Sequence, residues 1–384
     1  MNAYTIACTT VLMATGSLAD RFGRKRLYII SIILFGLTSQ ACGLAHSAAV
    51  LIVSRFLQGI GGGAMLICQI AILAQQFREG RERAFAFGIW GIVFGAGLGF
   101  GPVIGSMIIA VFNWEWVFLI HVPISLVALV LVFSGVQESR NPDARRLDLP
   151  GIILLSMTVF GLTFFITQGS GMGFTSYAGV GIITATVASF LLFLRAEKVS
   201  PEPMFDFSVF RIRTFSGALL GSMGMNFSFW PFMIYFPIYF QHGLGYSVMA
   251  TGSSMLAYTL PTLIVPPLAE RLSLRYRPGI IIPLGMFVIG LGFFLMKYGI
   301  GLENASWITI LPGALLAGTG LGLTNTPVTN TTTSSIPEAR AGMASGIHLY
   351  TALDGSCCMR GSGPGDWQES AGGFLVNLLS SGIV

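Results

Sequence analysis

Charged side chains are scarce in this sequence, at 10% of 384 residues, where soluble domains carry roughly 25%. That shortage excludes an ordinary water-solvated surface and points to lipid as the solvent. Groups that carry enzyme chemistry are also few, with 4 histidines and 5 cysteines. Cys8, Cys42, Cys68, Cys357 and Cys358 are odd in number, and none is spaced against histidine as metal ligands are. No nucleophile, metal cluster or phosphate loop stands in a plausible setting, so neither an enzyme nor a bound metal or cofactor is expected. A basic segment leading into a short apolar stretch and a small-residue cleavage site is missing too, and with it any reading of a cleaved signal peptide. Acidic residues number 16, and none falls in the middle of an apolar run.

What is abundant is apolar sequence in runs of about 20 residues, the length that crosses a hydrocarbon core. About 11 spanning segments are predicted, near 1–18, 27–45, 48–74, 83–110, 114–135, 149–169, 176–196, 215–240, 247–268, 277–298 and 305–327. The net charge of +5 does not indicate nucleic acid, because the basic residues sit in short loops. Of the 21 Lys and Arg, all but Arg55, Lys297 and Arg360 fall in loops on one side. This asymmetry places those loops in the cytoplasm and the start of the first segment outside. Trp114, Trp116 and Tyr177 lie near the outer helix ends, where interfacial aromatics anchor a span. An N-terminus outside with almost nothing before the first span predicts that a preceding helix is absent. The stretch from Asp354 to Gly373 cannot cross a bilayer and Phe374–Val384 is too short, so residues 347–384 are expected to form an atypical tail.

Four motifs carry a more specific reading. Gly16–Arg26, GSLADRFGRKR, is a tight basic turn containing one acid. It resembles the loop signature of the major facilitator superfamily, and the resemblance implies that Gly16, Asp20, Arg21, Gly23 and Arg24 latch two helical bundles in one state of alternating access. In LIVSRFLQGIGGGAM, Arg55 stands inside a span, where a charge costs several kcal/mol unless paired or hydrated. That stretch resembles the family's second signature, whose arginine is implicated in proton transfer. GLGFGPVIGS, with Gly97, Gly101, Pro102 and Gly105, is similar to the antiporter signature that marks exporters, although Ser106 replaces its last glycine. The proline should kink the helix and the glycines should let a neighbour close against it. NWEWVFLIHVPISL, Asn113–Leu126, resembles a stretch of the fourteen-helix drug:proton antiporter branch, with Glu115 and His121 as departures.

The expectation is therefore an all-α polytopic membrane protein of the major facilitator fold, two helical bundles with two extra linking helices. An N-terminal bundle would occupy residues 1–135, the linker with its two helices 136–214, an incomplete C-terminal bundle 215–346, and the tail 347–384. The implied partners are the lipid bilayer, a small-molecule substrate and protons, with no nucleic acid. The implied location is the plasma membrane, the inner membrane if bacterial. Export of amphipathic or toxic compounds would draw on the proton gradient and need no cofactor. Asn226 and Trp230, four apart on one helical side, are cavity candidates because hydrocarbon cannot satisfy their polar groups, and Tyr235 joins them on its hydroxyl. The branch's usual proton carrier lies on the helix expected to be absent, so the chain as given is expected to show weak or no coupled transport. A transport-inactive remnant and a metabolite or sugar facilitator are the alternatives.

Overall fold

The structure, a computed structural model, describes residues 2–77, 80–140, 148–200, 207–302, 304–336 and 345–347. The expected tail from 348 onward lies outside the described residues. Among the described residues the regular structure is helical, with no strand. Lipid imposes this outcome, because it offers no hydrogen bonds to backbone groups and an α-helix satisfies its own. The helices are α1 (Asn2–Phe22), α2 (Arg24–Gly43), α3 (Ala48–Gln76), α4 (Gly80–Val111), α5 (Trp116–Leu119), α6 (His121–Gly135), α7 (Leu149–Met172), α8 (Tyr177–Val199), α9 (Arg213–Ile238), α10 (Val248–Ile264), α11 (Pro266–Arg275), α12 (Pro278–Ile300) and α13 (Trp307–Ser334). Eight helical stretches among the described residues are long and apolar enough to cross a membrane.

The chain divides into two compact units. The first draws its described residues from 2–76, 111–215 and 332–347, the second from 77–110 and 216–331. In the first, α3 packs against α1 through glycine: a Cβ at Gly63 would stand 2.8 Å from the Cys8 carbonyl oxygen, and one at Gly59 would strike the Tyr4 carbonyl. Close backbone approach of this kind is how helices associate where burial in lipid supplies no hydrophobic drive. The α7–α8 hairpin starts each helix with a side-chain cap, Asp148 Oδ1 accepting from Gly151 N at 3.0 Å and Ser176 Oγ from Gly179 N at 3.1 Å. On α6, Leu126, Val127, Val130, Leu131 and Phe133 are exposed, the apolar face expected of a helix that meets lipid.

The second unit is built on an aromatic core. Phe229, Phe232, Phe236 and Phe240 are buried with Tyr258 of α10 and with Ile289 and Met296 of α12. Phe232 lies 4.3 Å from Tyr258, centroid to centroid. The aromatic residues from Phe229 to Phe240 thus largely pack helices together. The single span expected over 247–268 is divided, since α10 ends at Ile264 and Pro266 and Pro267 open α11. Proline lacks the N–H that would carry the ladder through that point.

Candidate functional site

The basic turn is tighter than its sequence suggests. α1 continues through Phe22 with Gly16 buried inside it, and the chain reverses at Gly23 alone, with φ 108°. Arg24 donates from Nε (3.0 Å) and Nη2 (2.7 Å) to Asp20 Oδ1, and it is 1% exposed. Arg21 lies over the ring of its neighbour Phe22. Glu138, which follows α6, takes the amides of Lys25 and Arg26 at 3.1 Å each, where the positive end of α2's dipole favours a carboxylate. The main chain adds a bond from Arg24 N to Ser139 O at 2.9 Å. Nothing in the loop motif itself points to Glu138, because its partner position lies more than a hundred residues away.

Arg55 of α3 is half-buried. Its Nη1 donates to Gln58 Oε1 at 2.6 Å, and Gln58 Nε2 donates to Ser39 Oγ of α2 at 2.6 Å. The guanidinium sits over two rings, 4.5 Å from the Tyr4 centroid and 5.3 Å from that of Phe118. At a half-buried arginine such cation–π contacts contribute about 1 kcal/mol. Nearby, His121 Nδ1 lies 3.2 Å from the Phe118 carbonyl oxygen and the ring meets Phe35 edge-on. A cavity of about 410 Å³ opens between α1, α7 and α8, with Phe160 and Phe164 in its wall and Thr10 and Thr186 among its polar groups. Both hydroxyls donate to carbonyls of their own helices, Ile6 and Ile182, so they can only accept from an occupant.

Gly97, Gly101, Pro102 and Gly105 all lie within α4. The three glycines have open space where a Cβ would stand. The close approach falls instead on Gly91, Gly95 and Gly99, which meet Pro266 and Thr326, Thr262, and Thr259 respectively. On α9, Trp230 Nε1 donates to Asn226 Oδ1 at 3.2 Å, and Asn226 Nδ2 donates to Ser222 O at 2.7 Å. These two candidates are brought together and satisfy one another. Tyr235, five residues on from Trp230, is buried.

The second unit holds a polar cluster that motif reading passed over. Arg83, near the start of α4, donates from Nε to Asn330 Oδ1 of α13 at 2.6 Å, and Asn330 Nδ2 donates to Glu270 Oε2 of α11 at 2.7 Å. Glu270 is 1% exposed, and its Oε1 is buried with no hydrogen-bond partner. A signal was present in the sequence, since Leu268-Ala269-Glu270-Arg271 repeats Leu18-Ala19-Asp20-Arg21 of the basic turn.

Residues 1–357 match the model of the Major Facilitator Superfamily. The chain is 32% identical over 345 residues to the multidrug resistance protein Stp of Mycobacterium tuberculosis, an alignment covering 90% of this chain and 64% of that protein. The chain therefore spans less than two thirds of Stp's length. It is 30% identical over 348 residues to the quinolone resistance protein NorB of Staphylococcus aureus, covering 90% of this chain and 74% of NorB. In fold it is similar to the human organic anion transporter MFSD10, with a TM-score of 0.70 at 15% identity over 99% of this chain and 80% of that one. The proton:xylose symporter XylE gives a TM-score of 0.63 at 16% identity over 98% of this chain and 79% of its own. With eight helical stretches of spanning length among its described residues and bacterial relatives matched over nine tenths of its length, the chain belongs to the Major Facilitator Superfamily and is a multi-pass protein of the plasma membrane.

Proposed function

We propose, against the expectation of weak or no coupled transport drawn from the sequence, that this chain exports small amphipathic or toxic compounds, quinolone-like aromatics among them, in exchange for protons. The observation that carries the reading is the likeness across 90% of the chain to proteins named for multidrug and quinolone resistance. It acts as a carrier, making and breaking no covalent bond in its cargo. Substrate would be handed across by rocking of helical bundles about a site near the bilayer midplane.

Particular residues take roles in this scheme. Asp20 and Arg24 fix the corner between α1 and α2, and Glu138 ties that corner to the end of α6, so the three would move as one body. Arg55 keeps a positive charge within the span, held by Gln58 and stacked on Tyr4 and Phe118, where it can sense a proton or an anionic substrate group. Thr10 and Thr186 supply acceptors in a largely apolar cavity that Ser156 and Ser189 also line, which suits an amphipathic occupant with a donor group.

The test is export of a fluorescent cationic dye from cells expressing the chain, beside Asp20→Asn and Arg55→Ala variants at matched abundance in the membrane. Efflux abolished by a protonophore and lost in both variants is expected. Equal dye retention in expressing and empty cells would overturn the reading.

A further inference from the structure

The acidic residues of this chain avoid the middle of its spans, so a proton-coupled carrier needs a titratable group elsewhere, and the second unit contains one whose surroundings suit the task. Glu270 lies on α11, past the end of the spanning part of α10. Its helix ends among Arg271, Arg275 and Arg277, residues that the charge pattern assigns to the cytoplasm. A carboxylate at that level would ordinarily face water, yet Glu270 is 1% exposed. It has one neutral donor on Oε2, the Asn330 amide at 2.7 Å, while Oε1 is buried without a hydrogen-bond partner. An ionised carboxylate can accept at about four lone-pair positions, so this environment serves the charged form poorly. The neutral acid needs fewer partners.

The charges that bear on Glu270 can be named element by element. From α4 comes Arg83, held on Asn330, while Arg81 and Glu82 are exposed. From α11 itself, Arg271 and Arg275 are exposed, as is Arg277 before α12. α12 carries its titratable Lys297 and Tyr298 near its far end, α10 has only Tyr258, in the aromatic core, and α13 has none. Burial therefore dominates: it pushes the Glu270 carboxyl up to about 7, against smaller opposing contributions from the Asn330 hydrogen bond and the Arg83 charge.

We propose that Glu270 is a proton-binding site of this chain, taking up and releasing a proton at the cytoplasmic end of the second unit, with Asn330 transmitting its charge state to Arg83. Uptake forms one O–H bond on the carboxylate with a proton from cytoplasmic water, and release returns that proton. When Glu270 is neutral, the Asn330 amide loses its charged acceptor and its hold on Arg83 weakens. When Glu270 is ionised, the three groups form a continuous charge-assisted chain across α4, α13 and α11. Asn330 is a positioning residue here, since it acts through Glu270. The inference rests on the antiport reading for its purpose, though not for its measurement.

The experiment is an infrared pH titration of the carboxylic C=O stretch in the purified full chain, in lipid nanodiscs without any transported compound. A band titrating near neutral pH is expected in the unaltered chain and absent in Glu270→Gln. In Asn330→Ala, loss of one charge-assisted hydrogen bond should raise the midpoint by about one pH unit, a tenfold change in proton affinity. An identical titration in Glu270→Gln would overturn the proposal, as would an unmoved midpoint in Asn330→Ala. Should Glu270→Gln fail to fold, the Asn330→Ala midpoint decides alone. A titrating Glu270 in a protein that moves dye without protons would refute antiport and leave the proton site standing.

Discussion

The Glu138 carboxylate fills the space beside Gly23 where a side chain would otherwise stand. A Cβ there would lie 2.7 Å from both the carboxyl carbon and Oε1, and Glu138 could not withdraw without releasing the amides of Lys25 and Arg26. Gly23 is therefore fixed twice, by its φ of 108° and by what lies against it. Gly23→Ala should destabilise the protein by about 2 kcal/mol, from backbone strain of roughly 1–3 kcal/mol together with the displaced cap. A lowered melting temperature in detergent checks this. An unchanged melting curve would mean that the turn relaxes freely.

Asp20 and Arg24 form a buried pair, 8% and 1% exposed. Removing one member leaves the other charge in a poor solvent, so Asp20→Asn and Arg24→Gln should each cost about 2 kcal/mol. The double variant should lose clearly less than the sum of the two, because coupling within a contacting pair is shared. Additive losses in thermal unfolding would show that the pair is not a unit.

The glycines of α4 divide into two faces with opposite expectations. A Cβ at Gly95 would stand 2.5 Å from the Thr262 carbonyl oxygen, whereas one at Gly101 meets nothing within 4 Å. Gly95→Ala should destabilise by about 1–3 kcal/mol through overpacking. Gly101→Ala should be neutral or stabilise by up to about 1 kcal/mol, since alanine is the better helix former. Reversal of that order in melting experiments would contradict the packing described for the second unit.

Stability should also depend on pH through Glu270. Its folded pKa of about 7 exceeds the ordinary 4.5, so between those values the folded state holds a proton that the unfolded state has released. By linkage, stability falls as pH rises from about 4.5 to 7 and levels off above. The full excursion is on the order of 3 kcal/mol. Melting temperatures across this window should decline in the unaltered chain, and Glu270→Gln should remove that component of the decline.

How much of this was legible in the sequence follows from the range of each interaction. The helices, their apolar faces and the basic loops are local properties, and the runs and Lys/Arg asymmetry give them directly. Asp20 and Arg24 are four residues apart across the turn at Gly23 and could be paired by inspection. So could Asn226 and Trp230, although spacing alone could not tell that they would bond each other. Glu138 capping α2 and Asn330 joining Arg83 to Glu270 are long-range contacts with no periodicity to announce them. The glycines of α4 show the same limit: motif spacing singled out Gly97, Gly101 and Gly105, while the face that meets other helices is Gly91, Gly95 and Gly99. Helical periodicity marks candidate faces without saying which one is covered.

Coupling of export to protons is read most directly from proton movement on substrate addition. Purified chain would be reconstituted in liposomes loaded with a pH-sensitive dye and challenged with a fluoroquinolone or a cationic dye under an imposed pH gradient. A substrate-dependent proton flux opposite in direction to substrate movement is expected, and its loss in Arg55→Ala. Substrate movement with no accompanying proton flux, or proton flux indifferent to substrate, would contradict antiport.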